Sequence, residues 1–475
     1  MHTLKLAVFD PPDDPMTFDV ARAAIGELMW RWTAFTRRLV HVPGDLHHPV
    51  WVPVGELDLT YHVRRAQIPA PGDHAAMDTL VGRLAGWPLD RDRPLWQVWF
   101  LEGLNDGRMA VLMKLHHCVA DGVAANALLA SLMAEPGDSG DARRVDRSPT
   151  RRELLADASR DLIGDLRGLP QVLRDMRHAV KRRRDVLTEM SRTGVETPPR
   201  PILDTPVTSF NRAITAARSV ATTTLDLAPV LAAKERYGCS VNDVFLTLVG
   251  GALTEVLASA GEHPKASLTA SVPVSSEPRR TGNTEPRRTG NTEPRRTGNT
   301  EPRRTGNTEP RRTGNTEPRR TGNKVSNLFV SLHTEIADPG ERAVAVHAST
   351  VAAKRLHDAL GADVMETLLS YTPPRPYRWV MQAYSGLDLA DRHRAPVNVI
   401  CSNVPGPREQ LAVAGVKLVE FYSAGPVLEG IGVNVTAWSY ADRMDVMVIA
   451  CARAMPEPSR LTEALHRQLD ALGEG

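Results

Sequence analysis

The chain predicts a mixed α/β (α+β) fold in two domains, on three observations. Strand-like alternation and helix-like spacing intermingle along its whole length. Its 475 residues exceed one ordinary domain and suit two. A proline-rich stretch, "ETPPRPILDTP", breaks the sequence at residues 196–206. The expected division is residues 1–150, a linker at 151–206, and residues 207–475 with an insert at 277–323.

The elements follow in order. Leu4 to Phe9 suits a strand, and Ala21 to Leu39 has helical spacing before the loop "VPGD". "DLTYHVRRAQI" alternates like a strand, and "HAAMDTLVGRLAGWPL" is helical. "LWQVWFLEGL" and "GRMAVLMKL" read as two strands joined by the turn "NDG". The second of them ends at His116 and His117, and a small-residue helix is expected to open at Asp121 or Gly122 and run to Met133.

A long polar helix is expected from Glu153 to Met190, carrying the basic run "HAVKRRRD". It reads either as a solvated linker helix or as a face drawn to an anionic membrane, since Leu154, Leu155, Leu162, Leu166, Leu169, Val172 and Leu173 recur along it. In the second half, "GCSVNDVFLTLVGGALTEVL" is a helix whose first turn holds Asn242 and Asp243, where polar groups meet unpaired N–H groups. Strands are expected at "SLTASVPVS", "VSNLFVSLHTEI", "VNVICSNVPGP", "VKLVEFYSA", "IGVNVTAWSY" and "DVMVIACA", and a final helix from Pro458 to Leu472.

Composition narrows the function. The net charge is +2, but the unit EPRRTGN occurs six times between Glu277 and Asn323, each copy carrying +1. The remainder of the chain therefore carries −4, which argues against nucleic-acid binding. No unit holds an apolar residue, so the insert reads as a duplicated surface loop, with a basic arm for anionic partners as the other reading. Cys118, Cys239, Cys401 and Cys451 are scattered, which suggests neither a disulfide framework nor a zinc site and fits a reducing cytosol. Neither a signal peptide nor a membrane-spanning helix is expected; the apolar run from Val244 is interrupted by Glu255 and reads as a buried helix.

The chemistry concentrates at "HHCVADG", residues 116–122. An imidazole at a strand end sits on a fixed backbone and can act as a general base near neutral pH. Adjacent side chains on a strand point to opposite faces, so only one of the two faces a given substrate. Asp121 could close the turn, and Gly122 permits close backbone approach. Metal ligation lacks a third ligand at suitable spacing, so no metal is expected. There is no GxSxG elbow, and neither a GxGxxG nor a Walker loop appears.

Together with "DRPLW" (92–96), "VNDVFL" (241–246), "SVPVS" (271–275) and "SNVPGP" (402–407), this motif resembles the bacterial wax ester synthase/diacylglycerol acyltransferase family, within the CoA-dependent acyltransferases of chloramphenicol acetyltransferase fold. The resemblance implies two lobes, each a mixed sheet flanked by helices, with an active-site tunnel between them. It implies His117 as the base, His116 as a supporting residue, Asp121 as structural and Gly122 as leaving room beside the tunnel. Asn242 and Asp243, and likewise Pro94, Leu95 and Trp96, are implied as structural support. Ser402, Asn403 and Thr436 are candidate oxyanion donors.

The implied activity is transfer of a long-chain acyl group from acyl-CoA to diacylglycerol or a long-chain alcohol. No cofactor beyond that substrate and no nucleic-acid partner are expected. The expected location is the cytoplasm, peripherally on the inner membrane face or lipid inclusions. Other acyltransferases of this fold, and a non-catalytic lipid-binding protein, are the competing readings. The sequence departs from the family in carrying six TGN copies where one is usual, in lacking a glycine after "SY", and in starting at "MHTLKLAVFD" where family members usually have a short segment before the strand.

Overall fold

The computed structural model describes residues 1–11, 17–119, 148–275, 325–360, 372, 374–413 and 415–474. The first half runs β1 (His2–Phe9), α1 (Phe18–Trp30), β2 (Arg37–Val40), β3 (Val50–Pro53), α2 (Leu59–His62), β4 (Val63–Gln67), α3 (His74–Gly86), β5 (Trp96–Glu102) and β6 (Met109–His116). A long helix, α4 (Arg151–Arg192), leads to β7 (Arg218–Asp226), α5 (Leu227–Arg236), α6 (Val241–Ser259), β8 (Thr269–Ser275) and β9 (Val325–Ser331). Then come α7 (Pro339–Leu360), α8 (Pro374–Gly386), β10 (Val399–Pro405), β11 (Ala412–Val413), β12 (Val416–Ala424), β13 (Val433–Tyr440), β14 (Arg443–Cys451) and α9 (Ser459–Glu474).

Two mixed six-stranded sheets organise the molecule, in the orders β11-β12-β1-β6-β5-β4 and β7-β14-β13-β10-β8-β9. The first sheet takes β11 and β12 from the C-terminal part of the chain, with Leu4 opposite Ala424 and Leu6 opposite Tyr422. The division expected at 207–475 follows the chain and not the sheets: the first lobe is completed by residues 412–424, because the free edge of β1 needs a partner for its N–H and C=O groups.

Both faces of the first sheet are covered. On one face, Leu4, Leu6, Leu112 and Leu101 pack on Met77, Val81 and Leu84 of α3. On the other, Trp96, Val98, Met113 and Leu115 pack near Met29 and Phe35. Helix α3 lies between the sheets and approaches β7 closely: a Cβ on Gly82 would stand 2.8 Å from the Arg218 carbonyl, and one on Gly86 2.9 Å from that of Ala216. Lys114, wholly buried, donates to the carbonyls of Leu84 (3.0 Å) and Trp87 (3.1 Å) at the end of α3. A cation there complements the negative end of the helix dipole.

The second sheet packs on α6, α7 and α9 through Phe245, Leu248, Val249, Val346 and Leu465. Helix α6 begins with a capping box, Ser240 accepting from the Asp243 N–H at 3.2 Å while Asp243 accepts from that of Ser240 at 2.9 Å. Among the described residues it is the helix long and apolar enough to cross a membrane, and 67% of that window is buried in this core.

Two elements differ from the expectation. The helix expected from Ala21 to Leu39 stops at Trp30; the N–H groups of Arg31 and Trp32 make tight bonds to Leu28 and Met29, and Arg37–Val40 then pairs with β3. The strand expected through "DLTYH" is instead one turn of helix, because the Asp58 carboxylate caps the N–H groups of Thr60 (3.1 Å) and Tyr61 (3.3 Å). The helix expected from Asp121 or Gly122 to Met133, and the repeat insert, lie outside the described residues.

Candidate active site

Strand β6 delivers the two imidazoles to opposite sides, as alternation requires. His116 follows Lys114 on the α3 side, where its ring meets that of His2 edge-on at 6.5 Å. Its Nδ1 lies 3.0 Å from Cys118 Sγ. Burial, then the nearby Met1 α-amino group and Arg91, lower its pKa to about 4, so it is neutral at physiological pH. His2, lowered to about 4 mainly by burial, has its Nδ1 3.2 Å from the Ala85 carbonyl.

His117 turns the other way. Its backbone N–H donates to the Met1 carbonyl at 3.1 Å, and its Nδ1 lies 3.1 Å from the hydroxyl of the buried Thr3. Thr3 is on β1 opposite Leu115, so it shares the face that alternation assigns to residue 117. Two residues on, Lys5 is buried on this face; its Nζ donates to Ser423 Oγ at 2.6 Å and stands 5.4 Å from the Trp438 ring. Ser423 belongs to β12 and Trp438 to β13 of the second sheet. The face holding Thr3 and His117 is thus the one turned away from α3, and at Lys5 it reaches Trp438 of the second sheet.

The residues 94–96 buttress the motif from behind. The Leu95 carbonyl accepts the His116 backbone N–H at 3.0 Å. Trp96 stands opposite Leu115, stacks on His62 at 4.3 Å, and donates its indole N–H to the Phe35 carbonyl at 2.9 Å. The Pro94 carbonyl accepts the Trp96 N–H at 2.9 Å. A change here moves the strand end that carries His117.

Asn242 and Asp243 sit in the first turn of α6, in the second lobe. Asp243 is buried; its Oδ2 is 2.8 Å from His347 Nδ1 and accepts from Ser240, while its Oδ1 is buried without a hydrogen-bond partner. Of the candidate oxyanion donors, Ser402 and Thr436 face each other on the parallel strands β10 and β13. The Thr436 hydroxyl already donates to Asn434 Oδ1 at 2.9 Å, whereas Asn403 Oδ1 is buried and unpartnered. Asp121 and Gly122 lie outside the described residues. No group of three or more His, Cys, Asp or Glu is arranged to hold a metal among the described residues.

Sequence reasoning did not single out Thr3, Lys5 or Ser423. Their partners lie 114 residues away for Thr3 and 418 for Lys5 and Ser423, so no local motif joins them. The available signal was the alternation of "TLKL", which sets a hydroxyl and an ammonium on one face of an otherwise apolar strand.

The wax ester synthase/diacylglycerol acyltransferase catalytic domain matches residues 1–245, and the C-terminal domain of the same family matches residues 321–473. The chain belongs to this family. It is an acyltransferase of the wax ester synthase/diacylglycerol acyltransferase type.

A Mycobacterium tuberculosis protein named as a diacylglycerol O-acyltransferase is 32% identical to it over 475 residues, covering 98% of this chain and 90% of its own. A second from that organism, of the same name, is 32% identical over 470 residues, covering 96% and 89%. The fold is that of the wax ester synthase/diacylglycerol acyltransferase from Marinobacter aquaeolei VT8 (TM-score 0.61, 24% identity, 99% of this chain and 94% of the other). It is also that of the first condensation domain of the calcium-dependent antibiotic synthetase (TM-score 0.51, 14% identity, 100% and 91%). The expected fold class, two mixed-sheet lobes flanked by helices, is borne out.

Proposed function

We propose that this acyltransferase moves a long-chain acyl group from CoA to the free hydroxyl of diacylglycerol, and to long-chain alcohols as a second acceptor class, with His117 as general base. The observation that carries the reading is the held imidazole: His117 directly after β6, its Nδ1 3.1 Å from the Thr3 hydroxyl, on the face turned away from α3. With the Nδ1 proton donated to Thr3 Oγ1, Nε2 is the basic nitrogen.

The acceptor hydroxyl passes its proton to Nε2 as its oxygen attacks the thioester carbonyl. The tetrahedral oxyanion collapses, the C–S bond breaks, and the imidazolium returns the proton to the departing CoA thiolate. No acyl-enzyme forms, since both substrates are present together. General-base assistance of this kind contributes roughly 10²–10⁴-fold. His116, held neutral on the opposite side, supports the turn without exchanging protons with substrate.

Diacylglycerol is placed first because the relatives of matching length carry that name. Both substrates are amphipathic, so the enzyme works peripherally, at the cytoplasmic membrane face or on lipid inclusions. The test is thiol release from a long-chain acyl-CoA with diacylglycerol or hexadecanol as acceptor. His117→Ala is expected to lower turnover at least a hundredfold while leaving the melting temperature nearly unchanged; turnover equal to wild type would remove His117 from its assigned role.

A further inference from the structure

We infer that the enzyme docks on anionic lipid surfaces through one face, built from α4, the loop at residues 43–48 and α8. The inference rests on the lipid-substrate reading above for its biological sense, but its observations are independent of the catalytic residues.

Helix α4 carries two apolar faces. Leu154, Ala158, Ala179 and Met190 are buried against the body of the protein. A second set, Leu162, Leu166, Leu169, Leu173 and Val180, is exposed, with Leu166 at 62% and Val180 at 61%. Their spacings of four, three, four and seven put them on a single stripe of the helix. Arg177 and Arg184 each follow a stripe residue by four, and Arg174 and Lys181 lie on the same flank. An apolar stripe bordered by cations is the pattern of a helix lying in a lipid interface.

Two neighbours extend the face. His47 Nε2 lies 3.4 Å from Asp165 of α4, and Asp45 pairs with Arg378 of α8 at 2.8 Å. Between them Leu46 is 58% exposed. Helix α8 has no buried residue; it exposes Tyr377, Trp379 and Val380, and the Arg375 guanidinium lies over the Trp379 ring at 5.0 Å. Trp and Tyr favour the headgroup boundary, and Arg favours anionic headgroups. Exposed apolar side chains thus recur on three neighbouring elements, the kind of surface that marks a membrane or partner contact. The basic flank selects the occupant: an anionic bilayer satisfies both the stripe and its cations, whereas a neutral protein groove satisfies only the first.

The test is vesicle flotation of the full chain, with phosphatidylcholine vesicles alone or carrying phosphatidylglycerol, alongside thiol release from a short-chain acyl-CoA and a water-soluble alcohol. Wild type is expected to float with the anionic vesicles, more weakly with the neutral ones, and less as salt rises from about 0.05 to about 0.5 M. Leu166→Glu with Leu173→Glu, and separately Arg177→Glu with Lys181→Glu, are expected to lower partitioning at least tenfold while soluble-substrate thiol release stays within twofold. These side chains are exposed, so folding is preserved. Wild type that does not float, or either variant floating as wild type does, overturns the inference, as does an equal loss of soluble-substrate turnover. Flotation without thiol release from any acyl-CoA sustains the docking face and sinks the proposed chemistry instead.

Discussion

Thr3→Val removes one oxygen and keeps the shape of the side chain, which isolates the contact with His117. Thr3 is 5% exposed and its hydroxyl lies 3.1 Å from Nδ1, so water does not readily take its place. A neutral hydrogen bond contributes about 0.5–1.5 kcal/mol net, and a buried donor left without a partner costs about 1–3 kcal/mol. At about 1.4 kcal/mol per tenfold, the loss in kcat falls between about five- and about a hundredfold. The imidazole also loses its tautomer preference, so part of the enzyme carries its proton on Nε2 and cannot act as a base.

Thr3 is a positioning residue in this scheme, and the assay must distinguish that from a packing role. Thiol release measured across pH is expected to show a lowered kcat, a nearly unchanged KM for acyl-CoA, and a displaced acid limb. Thr3→Ser, which keeps the oxygen, is expected to recover most of the rate. A valine variant with wild-type kcat and pH profile, or a serine variant as slow as the valine one, would refute the assignment.

Two further outcomes follow from the same geometry. Burial between α3 and β7, with Glu420 and Asp73 near, raises the Asp78 carboxyl from 3.8 to about 7 while it accepts from the Thr222 N–H at 2.8 Å. The folded state thus holds that proton more tightly than the unfolded one, and the resulting stability is full below about 4 and is lost as pH rises through about 7. Asp78→Asn, which cannot ionise, is expected to narrow the gap between melting temperatures at pH 5 and pH 8, and an unchanged gap would count against it. Deleting five of the six repeat units should raise stability: β8 and β9 already pair at Ser275 and Val325, and shortening their connection about fivefold at about 0.6 kcal/mol per doubling contributes about 1.5 kcal/mol. Chemical denaturation measures this, and thiol release is expected to be unchanged.

What could be read from the sequence was local. The apolar run ending at His116, and the rule that neighbours on a strand diverge, send the two imidazoles to opposite sides, one to His2 and the other to Thr3. The supporting role of Pro94, Leu95 and Trp96 was implied only by the family resemblance, and the pairing of β5 with β6 sets Trp96 opposite Leu115 beside the motif. The first-sheet membership of β12 could not be read, since Leu4 and Ala424 pair across nearly the whole chain and nothing in "VKLVEFYSA" names its partner. Helical spacing misled at Ala21–Leu39 because its apolar residues serve two elements, the face of α1 and the β2–β3 pair. At Asp58 a capping side chain overrode an alternating pattern.

The way the lobes interlock bears on how firmly His117 is held. Strand β12 belongs to the second half of the chain yet hydrogen-bonds along β1, and its Phe421 N–H donates to Asp445 of β14 at 2.8 Å. Helix α3 is fixed to β7 by Asp78 and Thr222, and at Gly82 and Gly86 there is no room for even a methyl group. Parting the sheets would expose these carboxylates' hydrogen bonds and the apolar cluster that joins Val81 and Leu84 to Met447 and Ile449. Such a seam resists opening as a hinge. The two sheets therefore stay in place relative to one another, which keeps the held geometry of Thr3 and His117 intact.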